Sequence, residues 1–302
     1  ALSAAANGYQ LLLSARKTPG PTLLLTAGRT LSDLGRHREA STTLSSAAEV
    51  DPFNPRVWAN LCLALSRTGA LEEGMSACNE ALKLERGNAL AGMVKIELLG
   101  RFGKWNEALQ ELMIFMLRSI AEIRSPAELD RLETVAAATI DGLLARGSTD
   151  EAAKLAGVLG RFLSDRARHE AAIAALETAT EMAPTNSESW VNLCLAQERA
   201  GHPEDALEAC ERAYDLNPNQ FWARIISAEI LASQHAWLPA MDQANLAAQS
   251  PPPTGDFAGP LIRFARTGTE AGYRDRSCRL LQTIREADEQ VVAALEELHC
   301  LD

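Results

Sequence analysis

A spacing of 34 residues is the feature that most restricts how this chain can fold. Small and large apolar residues recur at that spacing in three consecutive registers, which start at Pro21, Pro55 and Ala89. The second register fills positions 4, 7, 8, 11, 15, 20, 24 and 27 of the period with Trp58, Leu61, Cys62, Leu65, Gly69, Gly74, Cys78 and Ala81. A repeat of this length predicts stacked pairs of helices, each pair joined by a turn at a glycine.

The same register restarts at Ala153, Ser187 and Phe221, so the chain holds six copies in two blocks of three. The clearest copy begins at Ser187 and contains Trp190, Leu193, Cys194, Gly201, Ala206, Cys210, Ala213 and Pro218. These residues resemble the tetratricopeptide repeat (TPR) family, whose pattern is W-x2-L-G-x2-Y, then A-x3-F, then P, with Cys at two of the positions here. The resemblance implies an all-α fold, a right-handed α-solenoid of antiparallel helix pairs.

The parts of the chain outside the repeats also have helical character. A stretch from Pro126 to Arg146 predicts an extra helix between the blocks, and the residues after Pro251-Pro252-Pro253 predict two or three capping helices. The predicted boundaries are an N-terminal helix in residues 1–20, a first block in 21–122, a connecting helical segment in 123–152, a second block in 153–254 and capping helices in 255–302.

A second period, of 132 residues, relates the two blocks to each other. A shift of that length places residues 60–64 on residues 192–196, which are identical. Further matches that the repeat pattern does not require are Arg29/Arg161, Asp33/Asp165, Arg67/Arg199, Glu97/Glu229 and Trp105/Trp237. We therefore interpret the chain as an internal duplication of a three-repeat unit.

The resemblance to TPR proteins also indicates candidate binding residues. In that family the first helix of each repeat lines a concave face through positions 2, 5, 6, 9, 12 and 13. An Asn amide there can pair with both a C=O and an N–H group of an extended peptide, and an Arg can bind a carboxylate through two hydrogen bonds. The residues of this chain at such positions that we predict to contact a partner are Arg29, Asp33, Asn60, Arg161, Asp165, Asn192 and Trp222.

Simpler interpretations of these residues stay open at this point. Because Arg and Asp stand four apart on one helix, Arg29–Asp33 and Arg161–Asp165 could be intrahelical ion pairs and nothing more. Asn60 and its counterpart could hydrogen-bond a neighbouring helix instead of a ligand. Trp222 could be buried against the final helices.

The six cysteines allow two interpretations. Two matched pairs occupy positions 8 and 24 of a repeat, which antiparallel helices bring close enough for a disulfide. The simpler interpretation is that they are small buried hydrophobic residues, and the last two cysteines show no motif. We therefore expect reduced thiols and a cytoplasmic location, with a periplasmic or secreted location as the alternative. The cysteines are Cys62/Cys78, Cys194/Cys210 and Cys278/Cys300.

Composition and motifs restrict the function. The formal net charge is −11 and no run of Lys and Arg offsets it, so we expect no nucleic-acid partner. No stretch is apolar enough to span a membrane, and no catalytic, phosphate-binding or metal-binding motif occurs, so we expect no enzyme activity, cofactor or metal. The alanine-rich composition with more Arg than Lys indicates a bacterial gene.

The predicted function is a non-enzymatic protein–protein interaction module, which holds a segment of a partner protein in the concave groove of the solenoid. The alternative is a structural or assembly subunit that uses its convex face or its caps. Such a subunit would form a homo-oligomer, or would serve as the substrate-recognition arm of an enzyme such as a glycosyltransferase or of a secretion complex.

Overall fold

The computed structural model of the protein describes residues 20–118, 125–252, 256–286 and 288–300. Every regular element in these ranges is an α-helix, which confirms the predicted all-α fold class. The N-terminal helix expected in residues 1–20 lies outside the described residues apart from Gly20. The chain forms two compact units, residues 1–148 and residues 149–302.

The described residues of the first unit form three helix pairs and a seventh helix. The pairs begin where the 34-residue registers begin, and the seventh helix, which packs on the last pair, is the one predicted between the blocks. The helices are α1 (Pro21–Asp33), α2 (His37–Val50), α3 (Pro55–Thr68), α4 (Leu71–Leu84), α5 (Ala89–Arg101), α6 (Trp105–Arg118) and α7 (Pro126–Ala145).

Local sequence fixes where these helices begin. The side chain of Asn54 accepts a hydrogen bond from the backbone N–H of Arg56 and caps α3, and Asn88 caps α5 in the same way. At α7, Ser125 and Glu128 form a reciprocal capping box. These caps satisfy N–H groups that a helix leaves unpaired at its N-terminus, so the second and third repeats and α7 each begin at a defined residue.

In the part of the second unit that the structure describes, there are four helix pairs and one further helix. Its helices are α8 (Thr149–Ser164), α9 (His169–Met182), α10 (Ser187–Ala200), α11 (Pro203–Leu216), α12 (Phe221–Ser233), α13 (Trp237–Gln249), α14 (Ala258–Glu270), α15 (Arg274–Thr283) and α16 (Glu289–Glu297). The cap predicted as two or three helices is thus a pair, α14 and α15, that packs on α12 and α13 as a repeat would, followed by α16.

Helix α8 begins at Thr149, four residues before the register start at Ala153. The residues in between continue the helix because Asp150 and Glu151 lie in its first turn, where negative charge is favourable next to the helix dipole.

The turn inside each pair requires a left-handed residue at position 15 of the repeat. Glycine supplies it in the first unit, where Gly35, Gly69 and Gly103 have φ values of 75°, 88° and 69°. In the second unit, Ala167 and His235 adopt φ values of 58° and 61° at the same position. An L-residue with a side chain is strained in this region, so the second unit carries a cost that the first does not.

Positions 8 and 24 form the contact between the two helices of a pair. A Cβ atom on Gly28 would lie 2.4 Å from Cγ of Leu44, and a Cβ atom on Gly160 would lie 2.3 Å from Cγ of Leu176. The first pair of each unit therefore packs a leucine directly on a glycine. In the next pair of each unit, the same two positions hold cysteines.

These cysteines are bonded, and the expectation of reduced thiols was wrong. The structure joins Cys62 to Cys78, Cys194 to Cys210 and Cys278 to Cys300, with Cα–Cα distances of 5.1, 5.2 and 5.3 Å. Positions 8 and 24 are close enough for a bond because the side chains there are short and the helices are in contact. The third disulfide has no counterpart in the repeats and ties α15 to the residues after α16.

Candidate functional site

A cavity of about 670 Å³ lies in the first unit, next to the C-terminal ends of α3 and α5 and the middle of α7. One part of its wall is apolar and the rest is polar or charged. The apolar residues are Ile96, Gly100, Trp105, Val135 and Ala138, and the polar ones are Ser66, Arg67, Glu97, Arg101 and Thr139.

Two glycines set the position of the aromatic wall. A Cβ atom on Gly100 of α5 would lie 2.6 Å from the Trp105 ring, and one on Gly142 of α7 would lie 2.3 Å from it. The indole therefore fits between these two helices only because both residues lack a side chain. Trp105 is the first residue of α6, so three helices together hold one wall of the cavity in place.

Hydrogen bonds between repeats fix two of the three charged groups. Nη2 of Arg131 on α7 lies 2.8 Å from Oε1 of Glu97 on α5, and both side chains are only about a quarter exposed. Nη1 of Arg101 donates to the backbone carbonyl of Ser66 at 2.7 Å, which links α5 to α3. Cavity walls held in this way need little reordering to receive a ligand.

Arg67 is the exception. Its side chain is exposed in the last turn of α3 and has no hydrogen bond or ion pair in the part of the chain that the structure describes. Among the charged residues of the cavity wall, it alone keeps all five of its N–H donors for a ligand.

The second unit places different charges on the equivalent positions. Arg199, the counterpart of Arg67, donates to Oγ of Ser164 at 3.0 Å and pairs with Asp165 at 3.4 Å. The counterpart of Glu97 is Glu229, which forms no ion pair in the described ranges. Burial raises its pKa, Arg263 lowers it and nearby Glu198 raises it further, so the carboxyl titrates above its usual range.

A known protein family matches the repeats of both units. The family model for the tetratricopeptide repeat matches residues 25–89 and residues 158–221, one stretch in each unit. The chain therefore contains tetratricopeptide repeats in both units. Proteins of this family are in general non-catalytic scaffolds that bind other proteins.

The chain is also similar to proteins of known structure, at low sequence identity. PilF from Pseudomonas aeruginosa is 18% identical over 92% of this chain and 97% of its own, with a TM-score of 0.34. A tetratricopeptide repeat protein from Parabacteroides merdae is 14% identical over 92% and 98%, with a TM-score of 0.38. No curated protein matches the sequence.

The described ranges of the TPR protein contain neither a candidate metal site nor a candidate membrane span. They contain no group of three or more His, Cys, Asp or Glu residues placed to hold a metal ion. No described helix is both long enough and apolar enough to cross a membrane.

The Arg and Asp residues predicted from the sequence lie on the surface of the TPR protein. Arg29, Asp33 and Arg161 are exposed, and none of them forms an ion pair in the described structure. Asp165 pairs with Arg199 of the following repeat instead of with Arg161. The interpretation of these residues as intrahelical ion pairs was therefore wrong. At Asp165, the arginine one repeat further along reaches the carboxylate.

The two predicted asparagines are half-buried in the first helix of their repeats. Nδ2 of Asn60 donates to the backbone carbonyl of Arg56 in its own helix at 2.7 Å, so the alternative of a bond to a neighbouring helix was wrong for this residue. Asn192 has no hydrogen bond within the described part of the chain. Neither lines the 670 Å³ cavity, and a role in binding stays a prediction for both.

Trp222 lines a separate cavity of about 520 Å³ in the second unit. Its side chain is 42% exposed, and its ring meets Phe221 edge-on with the centroids 5.1 Å apart. The alternative of burial against the final helices was therefore wrong. The other walls come from residues 219–220 and from residues 249–252 at the end of α13.

Sequence reasoning did not assign the residues that form the first cavity, although one signal pointed to them. The 132-residue shift pairs Arg67 with Arg199 and Glu97 with Glu229, and it also pairs Arg131 with Arg263 in a segment that was taken for a connector. A charged pair that repeats across a duplication, with its members 34 residues apart, indicates a contact between adjacent repeats.

Proposed function

We propose that this TPR protein binds a segment of a partner protein, without catalysis, in the cavity of the first unit. The observation that carries the proposal is the wall of that cavity, where the apolar surface of Ile96, Trp105 and Val135 adjoins the unpaired side chain of Arg67. Cavities that bind ligands combine a mainly apolar lining with a few placed polar groups, and their volumes are commonly about 300–1,000 Å³.

The chemistry of the wall suits a peptide chain. An extended segment has backbone C=O groups without partners, and Arg101 can donate to them because it uses only one of its N–H groups on Ser66. Thr139 is less available, since its hydroxyl already donates to the carbonyl of Val135 at 2.8 Å. The apolar part of the wall would bury one side chain of the segment.

The experiment that tests this proposal fills the cavity. Ala138 is exposed on α7 and lines the cavity, so Ala138→Trp places an indole inside it. The control is Ala137→Trp, which puts the same ring on the neighbouring exposed residue that does not line the cavity. Each variant is used to capture proteins from the native cell extract, and circular dichroism checks that its helix content is unchanged.

We expect a partner that the wild type and A137W both capture and that A138W loses. A partner captured equally by A138W would contradict the proposal and would move binding to another surface, as the assembly-subunit alternative requires. Light scattering on the purified wild type then decides whether that alternative is self-association.

The binding residues predicted from the sequence are tested by further variants in the same capture experiment. A variant with Ala at Arg29, Asn60, Arg161 and Asn192 leaves the first cavity intact, as does Trp222→Ala. If the partner extends beyond the cavity along the first helices, these variants weaken its capture while A138W abolishes it.

A further inference from the structure

We infer that the segment bound in the first cavity is acidic, with an Asp or Glu side chain next to an apolar one. This inference rests on the proposed function and specifies its ligand. The whole chain carries a net charge of −11, so most of its surface repels such a segment. The cavity is a local exception that the following contacts create.

The charges of the wall do not cancel. Glu97 is the one acidic residue that lines the cavity, and Arg131 pairs with it at 2.8 Å from outside the lining. Arg101 keeps its positive charge, because its partner is a neutral backbone carbonyl. Arg67 has no partner in the described structure, so two arginines remain uncompensated.

An arginine without a partner suits a carboxylate. Its planar guanidinium can donate two parallel hydrogen bonds to the two oxygens, and such charged bonds are among the stronger ones in proteins. The apolar residues Ile96 and Val135 line the same cavity and can bury a neighbouring aliphatic side chain of the segment. One carboxylate beside one apolar group therefore matches the wall.

The equivalent positions of the second unit do not carry the same uncompensated positive charge. Its arginine at the equivalent position is already paired with Ser164 and Asp165. The position of Arg101 is occupied by Ser233, and Glu198 and Glu229 add negative charge. We therefore expect an acidic segment to bind the first unit more tightly than the second.

The test uses a library of random peptides fused to a phage coat protein, so that the displayed segments have no free C-terminus. Full-length wild type, Arg67→Glu and Arg56→Glu are each used for selection. Arg56 is exposed on the same helix outside the cavity, so its variant has the same change in net charge. Selected sequences are then made as amidated peptides, and their affinities are measured by fluorescence anisotropy.

We expect peptides selected by the wild type and R56E to be enriched in Asp and Glu, and R67E to bind them about tenfold or more weakly, as the loss of a charged hydrogen bond predicts. Selected peptides without acidic enrichment, or with equal affinity for R67E, would overturn this inference and leave the proposed function standing. If A138W selects the same peptides as the wild type, the proposed function itself fails.

A different observation carries a second inference. All six cysteines form disulfides within the chain, and two of the bonds occupy core positions where the preceding repeat packs Leu on Gly. Such bonds form and persist in oxidising compartments and are rare in the reducing cytoplasm. We therefore propose that the protein works in an oxidising compartment, which is the periplasmic or secreted alternative and not the cytoplasmic expectation.

The test is thiol alkylation in the native cells. Cells are quenched with acid, the protein is alkylated under denaturing conditions with and without reductant, and its mass is measured. We expect alkylation of the cysteines only after reduction. Alkylation of all of them without reductant would overturn the inference, and it would leave the peptide-binding proposal untouched because the cavity contains no cysteine.

Discussion

The two units of this TPR protein have three matching helix pairs with similar packing but different polar contacts. In the first unit, Glu97 is paired with Arg131 and Arg67 is unpaired. In the second unit, Arg199 is paired with Asp165, and Glu229 is left with a raised pKa. The packing positions tolerate few residue types because helices touch there, whereas the polar positions can change without loss of the fold. We therefore expect differences in binding between the units to arise from the polar positions.

The largest effect on stability is expected at positions 8 and 24. The question is whether a glycine–leucine contact stabilises a helix pair as well as a disulfide does. Replacement of both Cys194 and Cys210 by Ala removes a bond that closes a loop of 16 residues, and should lower the free energy of unfolding by about 3 kcal/mol. Replacement by the pair from the previous repeat, Cys194→Gly with Cys210→Leu, should recover part of this loss because the leucine refills the contact.

Urea unfolding of both double variants measures these changes. The matching variants at Cys62 and Cys78 in the first unit serve as an internal repeat of the experiment. If the Gly/Leu variant is no more stable than the Ala/Ala variant, the glycine–leucine contact and the disulfide are not equivalent, and the disulfide has a role that packing does not replace.

The next largest effect is expected at the ion pair of Glu97 with Arg131, which has no equivalent in the described residues of the second unit. Glu97→Gln keeps the size of the side chain but removes the charge that faces Arg131. We expect a loss of about 1–2 kcal/mol, since hydrogen bonds to charged groups contribute more than neutral ones and this pair is largely shielded from water. Hydrogen exchange followed by mass spectrometry should show faster exchange in α5 and α7, with α12 and α14 unaffected.

How much the sequence could predict differs between these two kinds of position. Pro55 and Ser187 each begin a helix as predicted, because the repeat pattern records the packing that every copy must satisfy. The pair of Glu97 with Arg131 was not predicted, since an ion pair between repeats leaves no periodic apolar signal. The sequence left the two disulfides within the repeats as an open alternative for another reason: a buried cysteine and a bonded one have the same hydrophobic pattern.

A smaller effect on stability is expected at the turn between the two helices of a pair. Ala167 adopts a φ of 58° where the first unit has Gly35, so Ala167→Gly removes the strain of a side chain in the left-handed region. We expect a gain of about 1 kcal/mol, which the greater flexibility of glycine in the unfolded chain reduces. The reverse substitution, Gly35→Ala, should destabilise the first unit by a similar amount, and two losses in thermal unfolding would contradict the strain argument.

The smallest effect is expected for Glu229→Gln. It should stabilise the protein, whereas the same type of substitution at Glu97 should destabilise it. Burial raises the pKa of Glu229, so the folded state holds this proton more tightly than the unfolded state does. Stability from this group is therefore lost as pH rises from the unfolded pKa through the folded one. Glu229→Gln removes that loss and should raise the melting temperature slightly at neutral pH, with the advantage disappearing as the pH falls below the unfolded pKa. A melting-temperature difference that stays constant across that range would mean that Glu229 does not titrate differently in the two states. In that case the contrast between the units would rest on the paired arginines alone.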